Sequence, residues 1–381
     1  MLSTNRERAV ATLIREGALH RADLARRLSV SRTTASNVVQ DLVAEGLIEV
    51  EDAPGLKAKL SVSPQLGVLV SVVFQLTRTT IAVGGMDGAV LDVRDVAHAV
   101  HDHGTARLAT ALDLARQMLA EAGAPTVRAV HIAVNTQVDV RTGEVVGAGA
   151  SAMWARTNPR RSFSEALQAP VKVENTARLL GLVEHLAGTG GPSRNLLYLH
   201  LGHGVTLGHV LDGHIVQGSR GGAGEIGHMS IERDGPACSC RSRGCLMQYV
   251  GEVAVTARAQ RVLGDLATVE YVTDRALAGD PGCRELVAAI GADVGYALAN
   301  VANLLDPDVI VLGGKLAAAG ELLAEPVREE ILSHALPLTT QQLVVTTAAA
   351  TADPVAVAAA GLRPPVSDPE LLEEIVRSAL R

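Results

Sequence analysis

The chain has 381 residues, of which 48% are hydrophobic, and a formal net charge of −7 at pH 7. This length fits two or three domains with large cores, and the negative charge excludes a protein coated in nucleic acid but not a small DNA-reading module. The first ten residues, MLSTNRERAV, are polar and unlike a signal peptide, and no apolar run suggests a membrane span, so a cytoplasmic protein is expected.

Residues 1–62 carry the pattern of a winged helix-turn-helix domain. Apolar spacing predicts three helices, at residues 5–17, 22–28 and 32–45. Ser31 is a good N-cap for the third helix. Residues 46–62 are predicted to form two strands around a Pro54-Gly55 turn, which gives the wing, and residues 60–66 are predicted to be a linker.

The first 40 residues hold seven arginines and three acidic residues, although the whole chain is acidic. A basic end on an acidic protein is typical of a DNA-binding head. The third helix would enter the major groove, and the wing would reach the DNA backbone or the minor groove. The residues predicted to make these contacts are Arg32, Thr33, Ser36 and Asn37 on the helix, and Lys57 and Lys59 on the wing. The alternative is an ordinary three-helix bundle with a solvated polar face.

Residues 66–381 show one pattern of predicted strands and helices twice. Hairpin strands followed by helix–strand alternation are predicted over about 66–190 and again over about 195–350, with helices in 351–381. A polar interruption is predicted at 138–146. The repetition indicates a duplicated α/β fold with a cleft between two lobes.

Three of the four cysteines lie within eight residues of one another, ten residues after a histidine. The set is His228, Cys238, Cys240 and Cys245. Three thiolates and one imidazole form the soft tetrahedral ligand set that zinc prefers, and four protein ligands leave no position for a catalytic water. The spacing therefore predicts a structural zinc site. The alternative is three incidental buried thiols, or a disulfide with one spare cysteine.

The segment GGAGEIGHMSIERDGPACSCRSRGCL, residues 221–246, closely resembles the signature of the ROK family of repressors, uncharacterised reading frames and sugar kinases. That signature combines Glu-x-Gly-His with Cys-x-Cys-Gly-x-x-Gly-Cys. The segments LDPDVIVLGG and LGHGVTLGHVLDGHIVQG also resemble the family, and a winged helix in front is typical of its repressor branch. The resemblance implies a two-lobed actin/hexokinase-like (ribonuclease H-like) fold, with a cleft that holds a sugar and, in the kinases, ATP.

Four positions depart from the kinase pattern that the resemblance implies. The general base, the Asp of Glu-Asn-Asp-Ala-Asn, corresponds to Thr176, which cannot take a proton near neutral pH. The phosphate loop Asp-x-Gly-x-Thr corresponds to 75–79 (QLTRT), and Gly-Thr-Gly-x-Gly corresponds to 202–206 (GHGVT). The last residue of a glycine triplet is Lys315. Because side chains replace glycines that let the backbone approach phosphate, we expect no kinase activity and no catalytic residue.

The sugar site that the resemblance implies is partly kept. Asn175, Glu225 and His228 match positions that contact sugar hydroxyls in the family, whereas Arg178 replaces an Asn and Met247 replaces a Glu. One hypothesis is that an acidic or phosphorylated sugar, or another small anion, pairs with Arg178. The alternative is that the pocket binds no effector and the lobes serve only as a platform for dimers.

Together these features predict a zinc-containing transcriptional regulator of carbohydrate-related genes, most simply a repressor. It would act on a double-stranded DNA operator as a homodimer or homotetramer, because two heads reading a palindrome multiply the specificity of one. Its domains would be residues 1–62 and residues 66–381. The competing hypotheses are a regulator that needs no effector and an active sugar kinase with a DNA-binding head.

Overall fold

The computed structural model describes residues 2–51, 58–146, 153–191, 193–349, 353–363 and 368–380. The head contains three helices and a three-stranded sheet of order β1-β3-β2. Its elements are α1 (Asn5–Glu16), β1 (Leu19–His20), α2 (Arg21–Leu28), α3 (Arg32–Ala44), β2 (Ile48–Val50) and β3 (Lys59–Val62). The three predicted helices and the two wing strands are therefore confirmed.

Local sequence explains where the head's helices begin. Thr4 and Glu7 form a reciprocal capping box at the start of α1, and the Ser31 side chain accepts a hydrogen bond from the Thr34 amide (3.0 Å) at the start of α3. The predicted linker at 60–66 is wrong in form, because β3 runs to Val62 and a 3₁₀ turn at Pro64–Leu66 leads directly into the next strand.

Lobe one is built on a five-stranded sheet of order β10-β7-β4-β5-β6, in which β4, β5 and β6 are antiparallel neighbours and β7 and β10 run parallel to β4. Helices α4 and α5 pack on one face of this sheet. The elements are β4 (Val68–Phe74), β5 (Arg78–Gly85), β6 (Val90–Ala97), α4 (Gly104–Glu121), β7 (Val127–Val134), β8 (Val138–Asp139), β9 (Glu144–Val145), α5 (Pro159–Leu167), β10 (Val171–Asn175) and α6 (Thr176–Ala187).

The polar interruption predicted at 138–146 is instead a small hairpin. Strands β8 and β9 pair antiparallel, and both Val138 and Asp139 are buried. The hairpin follows β7 directly, so it projects from lobe one at the edge where lobe two approaches.

Lobe two repeats the same plan, with a sheet of order β13-β12-β11-β14-β15. Its antiparallel strands again come first and its two parallel strands follow, which confirms the predicted duplication. The elements are β11 (Asn195–Leu201), β12 (Val205–Leu211), β13 (His214–Ile215), α7 (Met247–Val250), α8 (Glu252–Leu263), α9 (Val269–Leu277), α10 (Pro281–Leu305), β14 (Val309–Gly313), α11 (Glu321–His334), α12 (Pro337–Thr340) and β15 (Val344–Thr347).

Helix α10 is long and apolar enough to cross a membrane by length and composition alone. In the fold it packs against α11, and 56% of its most apolar window is buried inside the protein. Val287, Ile290 and Val294 on this helix belong to the main core of lobe two. The helix is therefore a core element of this lobe.

The last two helices, α13 (Pro354–Gly361) and α14 (Pro369–Ala379), connect the parts. Helix α13 packs between α6 and the lobe-one sheet, and α14 contacts both α1 of the head and β7 of lobe one. Leu371, Leu372, Ile375 and Val376 of α14 share one apolar cluster with head residues and with Leu69. The head is thereby attached to lobe one through a common core as well as through the chain.

Candidate DNA interface, metal centre and interlobe cleft

Helix α3 buries one face and leaves the predicted DNA-reading face accessible. Ala35, Val39 and Leu42 are fully buried in the head. The residues predicted to contact bases are exposed or half-exposed on the other side of the helix: Arg32, Thr33, Ser36 and Asn37. Lys59 is exposed at the start of β3, whereas Lys57 and the Pro54-Gly55 turn lie outside the described residues. This is the arrangement of a helix that enters a major groove.

The arginines of the head fall into two groups. Three are neutralised by nearby carboxylates: Arg6 by Glu45, Arg26 by Asp23 and Arg27 by Glu16. Within the part of the chain that the structure describes, the other four have no ion pair: Arg8, Arg15, Arg21 and Arg32. Of these, Arg21 begins α2 and Arg32 begins α3. Helix N-termini and unpaired guanidinium groups both attract phosphate, so this end of the head is the one suited to a DNA backbone.

Arg21 was not among the predicted contacts. Its guanidinium donates to Ser36 Oγ (3.5 Å), which places a positive charge beside the predicted reading face. No sequence signal would have found this pair, because the two residues lie 15 positions apart on different helices.

The four predicted metal ligands come together in lobe two. The ligand atoms of His228, Cys238, Cys240 and Cys245 all lie within 4.8 Å of one another. Cys238 Sγ is 3.6 Å from His228 Nδ1, and Cys240 Sγ is 3.6 Å from Cys245 Sγ. Tetrahedral zinc with bonds of about 2.3 Å separates its sulfur ligands by about 3.8 Å, whereas a disulfide needs about 2.05 Å. The geometry therefore fits a metal ion and not a disulfide.

Two thiols of this cluster, those of Cys238 and Cys245, differ in pKa. Burial alone would raise the pKa of Cys238, but hydrogen bonds from the Cys240 backbone and from the neighbouring ligands bring it down to about 6. Burial and the adjacent thiols raise the pKa of Cys245 to about 12. Three adjacent thiols cannot all ionise easily without a cation, and a bound metal ion would remove that conflict.

A compact loop presents the ligands. His228 ends a 3₁₀ turn, Ile226–His228, and single β-bridges join Ser230 to Cys245 and Ala237 to Arg243. Arg241, at a position where the resemblance implies Gly, has a φ of 76°. A side chain in this left-handed region is strained, so the loop keeps its shape at some cost.

The predicted sugar-contacting residues lie where the two lobes meet, but most of them already bind other parts of the chain. Asn175 accepts a hydrogen bond from the Ala177 amide (2.8 Å) and donates one to the Thr136 carbonyl (3.1 Å). The Glu225 carboxylate accepts a hydrogen bond from Gln137 (2.8 Å). His228 directs Nδ1 toward Cys238, so it belongs first to the metal centre.

Arg178, where an anionic ligand was hypothesised, already pairs with a carboxylate of this chain. Its side chain is 1% exposed, and its Nε donates to the Glu174 carboxylate at 2.6 Å. Its Nη1 donates to the carbonyls of Gly221 (2.8 Å) and Ala223 (3.0 Å). Since Glu174 already neutralises the charge, a second anion at this place would be uncompensated.

Residues 71–362 match the model of the ROK family, and residues 8–56 match that of the MarR family. The chain belongs to the ROK family. Among its relatives, the putative xylose repressor of Caldicellulosiruptor sp. (strain Rt8B.4) is 24% identical over 346 residues, 85% of this chain and 86% of that protein. The glucokinase of Halalkalibacterium halodurans is 33% identical over 199 residues, 48% of this chain and 60% of that protein.

A solved structure, described as a ROK family transcriptional regulator and homolog of the E. coli MLC protein, covers 98% of this chain and 99% of its own. Its TM-score is 0.79 at 25% identity. The similarity thus includes the winged helix as well as both lobes. The chain therefore consists of a winged helix followed by a ROK domain, which is the organisation of that ROK-family transcriptional regulator.

The ROK domain shows what occupies the positions of the kinase machinery. Thr176, at the position of the base, is buried and donates its hydroxyl to the Phe74 carbonyl (2.8 Å). In the first phosphate loop, Gln75 Oε1 accepts from the Arg78 guanidinium (2.9 and 3.0 Å). These contacts tie both positions into the scaffold of lobe one.

The third phosphate loop, which is the glycine triplet whose last residue is Lys315 here, is held by two ion pairs. Lys315 Nζ lies 2.6 Å from a Glu252 carboxylate oxygen and 2.8 Å from one of Glu270. Helices α8 and α9 are thereby tied to the turn after β14, at the position that a phosphate-binding glycine occupies in the kinase pattern. Met247, in place of the signature's Glu, packs against the lobe-two core.

Proposed function

We propose that this ROK protein is a repressor of carbohydrate-related genes that binds operator DNA through its winged helix. The observation that carries the proposal is the similarity of 98% of the chain, winged helix included, to a ROK transcriptional regulator. The relative named as a putative xylose repressor supports the sign of regulation and the class of genes. The DNA-binding surface is the accessible face of α3 together with Arg21 and Arg32, which form no ion pair with any residue that the structure describes.

We further propose that the ROK domain does not transfer phosphate. Phosphoryl transfer needs a group that receives the proton of the sugar hydroxyl and an accessible cradle for ATP. Thr176 is a hydroxyl committed to the Phe74 carbonyl, and Lys315 is held by two carboxylates at the cradle. The competing function, a sugar kinase with a DNA-binding head, is motivated by the 33% identity to a glucokinase. ATP-dependent phosphorylation of glucose by the purified protein would establish it.

The metal that the His228, Cys238, Cys240 and Cys245 cluster would hold is zinc, in a structural role. Three sulfurs and one nitrogen suit zinc, and four protein ligands leave no position for water. When bound, the ion cross-links a loop that has little apolar surface of its own, so its binding energy becomes folding energy. The loop would then hold His228 and Glu225 in fixed positions beside the cleft.

If the cleft binds an effector, a neutral sugar suits it better than an acidic one. Arg178 is neutralised by Glu174, and the partly exposed Glu225 carboxylate accepts from sugar hydroxyls and repels anions. The alternative, a regulator without effector, is favoured by the hydrogen bonds that these residues already make within the chain. Calorimetry with neutral, acidic and phosphorylated sugars separates the two; silence across the panel supports the alternative.

The active form would be a cytoplasmic homodimer or homotetramer. One head presents a single reading helix, and a symmetric pair of heads on a palindromic operator multiplies the specificity of each. Sedimentation of the purified protein with and without operator DNA checks this assembly.

Mapping of bound DNA across the genome tests the proposed function. The expected result is a small set of promoters with a shared palindrome next to genes of carbohydrate uptake or breakdown. Binding spread evenly along the genome, or no recovered DNA at all, would refute a sequence-specific regulator. An Arg32→Ala protein should lose the peaks, whereas Arg261→Ala, which removes an exposed positive charge from lobe two, should keep them.

A further inference from the structure

The segment 217–225 leaves lobe two, contacts lobe one and returns to lobe two. It starts just after β13 and ends at the 3₁₀ turn that carries His228. Its own backbone is closed into a loop by the Ala223 amide, which donates to the Gln217 carbonyl (3.1 Å). Between these ends, several of its side chains and carbonyls bond to residues 137–178, whereas the Gly224 carbonyl accepts from the Leu207 amide of lobe two.

A buried ion pair holds the inner side of this segment. The Glu174 carboxylate, at the end of β10, accepts from Arg178 Nε (2.6 Å) and from the Gln217 side chain (2.6 Å). Arg178 in turn donates to the carbonyls of Gly221 and Ala223. Loss of any one member would leave a buried charge or carbonyl without a partner, so these bonds stabilise one another.

A second group of contacts holds the outer side. The Arg220 guanidinium donates to the Asp139 carboxylate (2.9 and 3.1 Å), and the Arg220 carbonyl accepts from the Val140 amide (3.2 Å). Hydrogen bonds from the Arg141 backbone and from Arg220 lower the pKa of Asp139 to about 2, so this carboxylate stays ionised at neutral pH. Gln137 and Glu225 add a further link between the lobes.

Gly221 is the residue of the segment that lies closest to the β8–β9 hairpin of lobe one. A Cβ on this residue would lie 2.6 Å from the Val138 carbonyl oxygen and 2.8 Å from Val140 Cγ1, and its φ is 86°. Only glycine therefore lets the segment sit this close to the β8–β9 hairpin. Gly222, its neighbour, has open space around its Cβ position and no such constraint.

We propose that residues 217–225 form an interlobe strap that this chain closes with its own side chains, Arg178 and Arg220. The strap holds the β8–β9 hairpin against lobe two without a ligand, in addition to the apolar core that α6 shares with both sheets. The metal centre anchors the far end of the strap through His228. If the proposed function holds, a sugar that enters the cleft must displace Gln137 from Glu225, so it loosens the strap instead of closing it. Loosening would then be the signal that passes to the head.

Hydrogen exchange of the full-length protein, free of DNA and sugar, tests the strap. In the wild type, the amides of Val140 and Ala223 should be protected. Gly221→Ala forces the strap away from the hairpin and should speed their exchange at least about 10-fold, whereas Gly222→Ala, the matched control, should change it less than about 2-fold. Unprotected strap amides in the wild type, or equal exchange in the two variants, would overturn the proposal.

A second variant, at the protein surface, provides the test if Gly221→Ala does not fold. Arg220→Gln removes a side chain that is 66% exposed and should speed exchange at Val140 a few-fold, with no change in α10. An unchanged exchange rate at Val140 would contradict the proposed role of the Arg220–Asp139 contact in holding the strap. These exchange measurements contain neither DNA nor sugar, so they do not depend on whether the protein binds an operator. Conversely, unprotected strap amides would refute the strap without bearing on operator binding. Added D-xylose or D-glucose should speed strap exchange; slower exchange would contradict the direction of the switch.

Discussion

The metal centre and the third phosphate loop of the kinase pattern both lie in lobe two, yet they differ in what they keep. The metal centre has its four ligand atoms within 4.8 Å of one another. The third phosphate loop instead ends in Lys315, which Glu252 and Glu270 hold. The four ligands beside the cleft are therefore all present and close together, whereas the position of a phosphate-binding glycine carries a lysine that two carboxylates hold. This difference supports the proposal that the ROK domain does not transfer phosphate.

Removal of one metal ligand should produce the largest effect. Cys240→Ser changes an exposed side chain, so it costs little packing, but it breaks the ligand set. We expect bound zinc to fall from about one ion per chain to nearly none, and the free energy of unfolding to fall by at least about 3 kcal/mol. Elemental analysis and denaturant unfolding measure these quantities.

The control for that variant is Cys283→Ser, since Cys283 is the fourth cysteine and lies in α10 away from the cluster. It should keep its zinc. If Cys240→Ser lost zinc and still bound operator like the wild type, the metal centre would have no part in coupling the cleft to the head.

Restoring the missing base tests the other side of the comparison. Thr176→Asp introduces a buried carboxylate beside the Phe74 carbonyl and close to Glu174 in the chain, which should destabilise the protein by about 3 kcal/mol. Because Lys315 and the Gln75–Arg78 contact remain, glucose phosphorylation should stay at background. The Halalkalibacterium halodurans glucokinase serves as the positive control for the assay. ATP-dependent turnover by the Asp variant would show that the phosphate loops are intact.

The sequence could predict the parts of this molecule whose residues are close along the chain. The metal ligands span 18 positions, and the helices of the head follow from local caps and apolar spacing. The duplicated lobes followed from repeated strand and helix patterns. These features depend on local chemistry, so a single sequence contains them.

The contacts between the lobes could not be predicted in this way. Arg220 and Asp139 lie 81 positions apart, and Gln137 and Glu225 lie 88 apart. The Glu174–Arg178 pair is a different case, because the two residues are only four positions apart. Glu174 lies at the end of β10 and Arg178 in α6, so the pair depends on how the chain turns between these two elements. The sequence therefore did not show that Glu174 already pairs with Arg178, the residue at which an anionic ligand was hypothesised.

The smallest predicted effect concerns strain in the metal loop. Arg241→Gly relieves a side chain at a φ of 76° and should raise the free energy of unfolding by up to about 1 kcal/mol. Arg243→Gly is the matched control, because Arg243 has ordinary backbone angles, and it should lower stability by about 0.5–1 kcal/mol. Thermal unfolding with zinc present measures both. Equal losses in the two variants would mean that Arg241 makes a favourable contact that outweighs its strain.

The most direct test of the central claim is the affinity of purified protein for a recovered operator, measured by fluorescence anisotropy with no ATP present. The wild type should bind the operator at least about 1,000-fold more tightly than a scrambled duplex. Arg32→Ala should lose about 1–3 kcal/mol of binding free energy, and Arg261→Ala should lose almost none. Equal affinity for operator and scrambled DNA, or equal losses in the two variants, would contradict a regulator that reads DNA through α3.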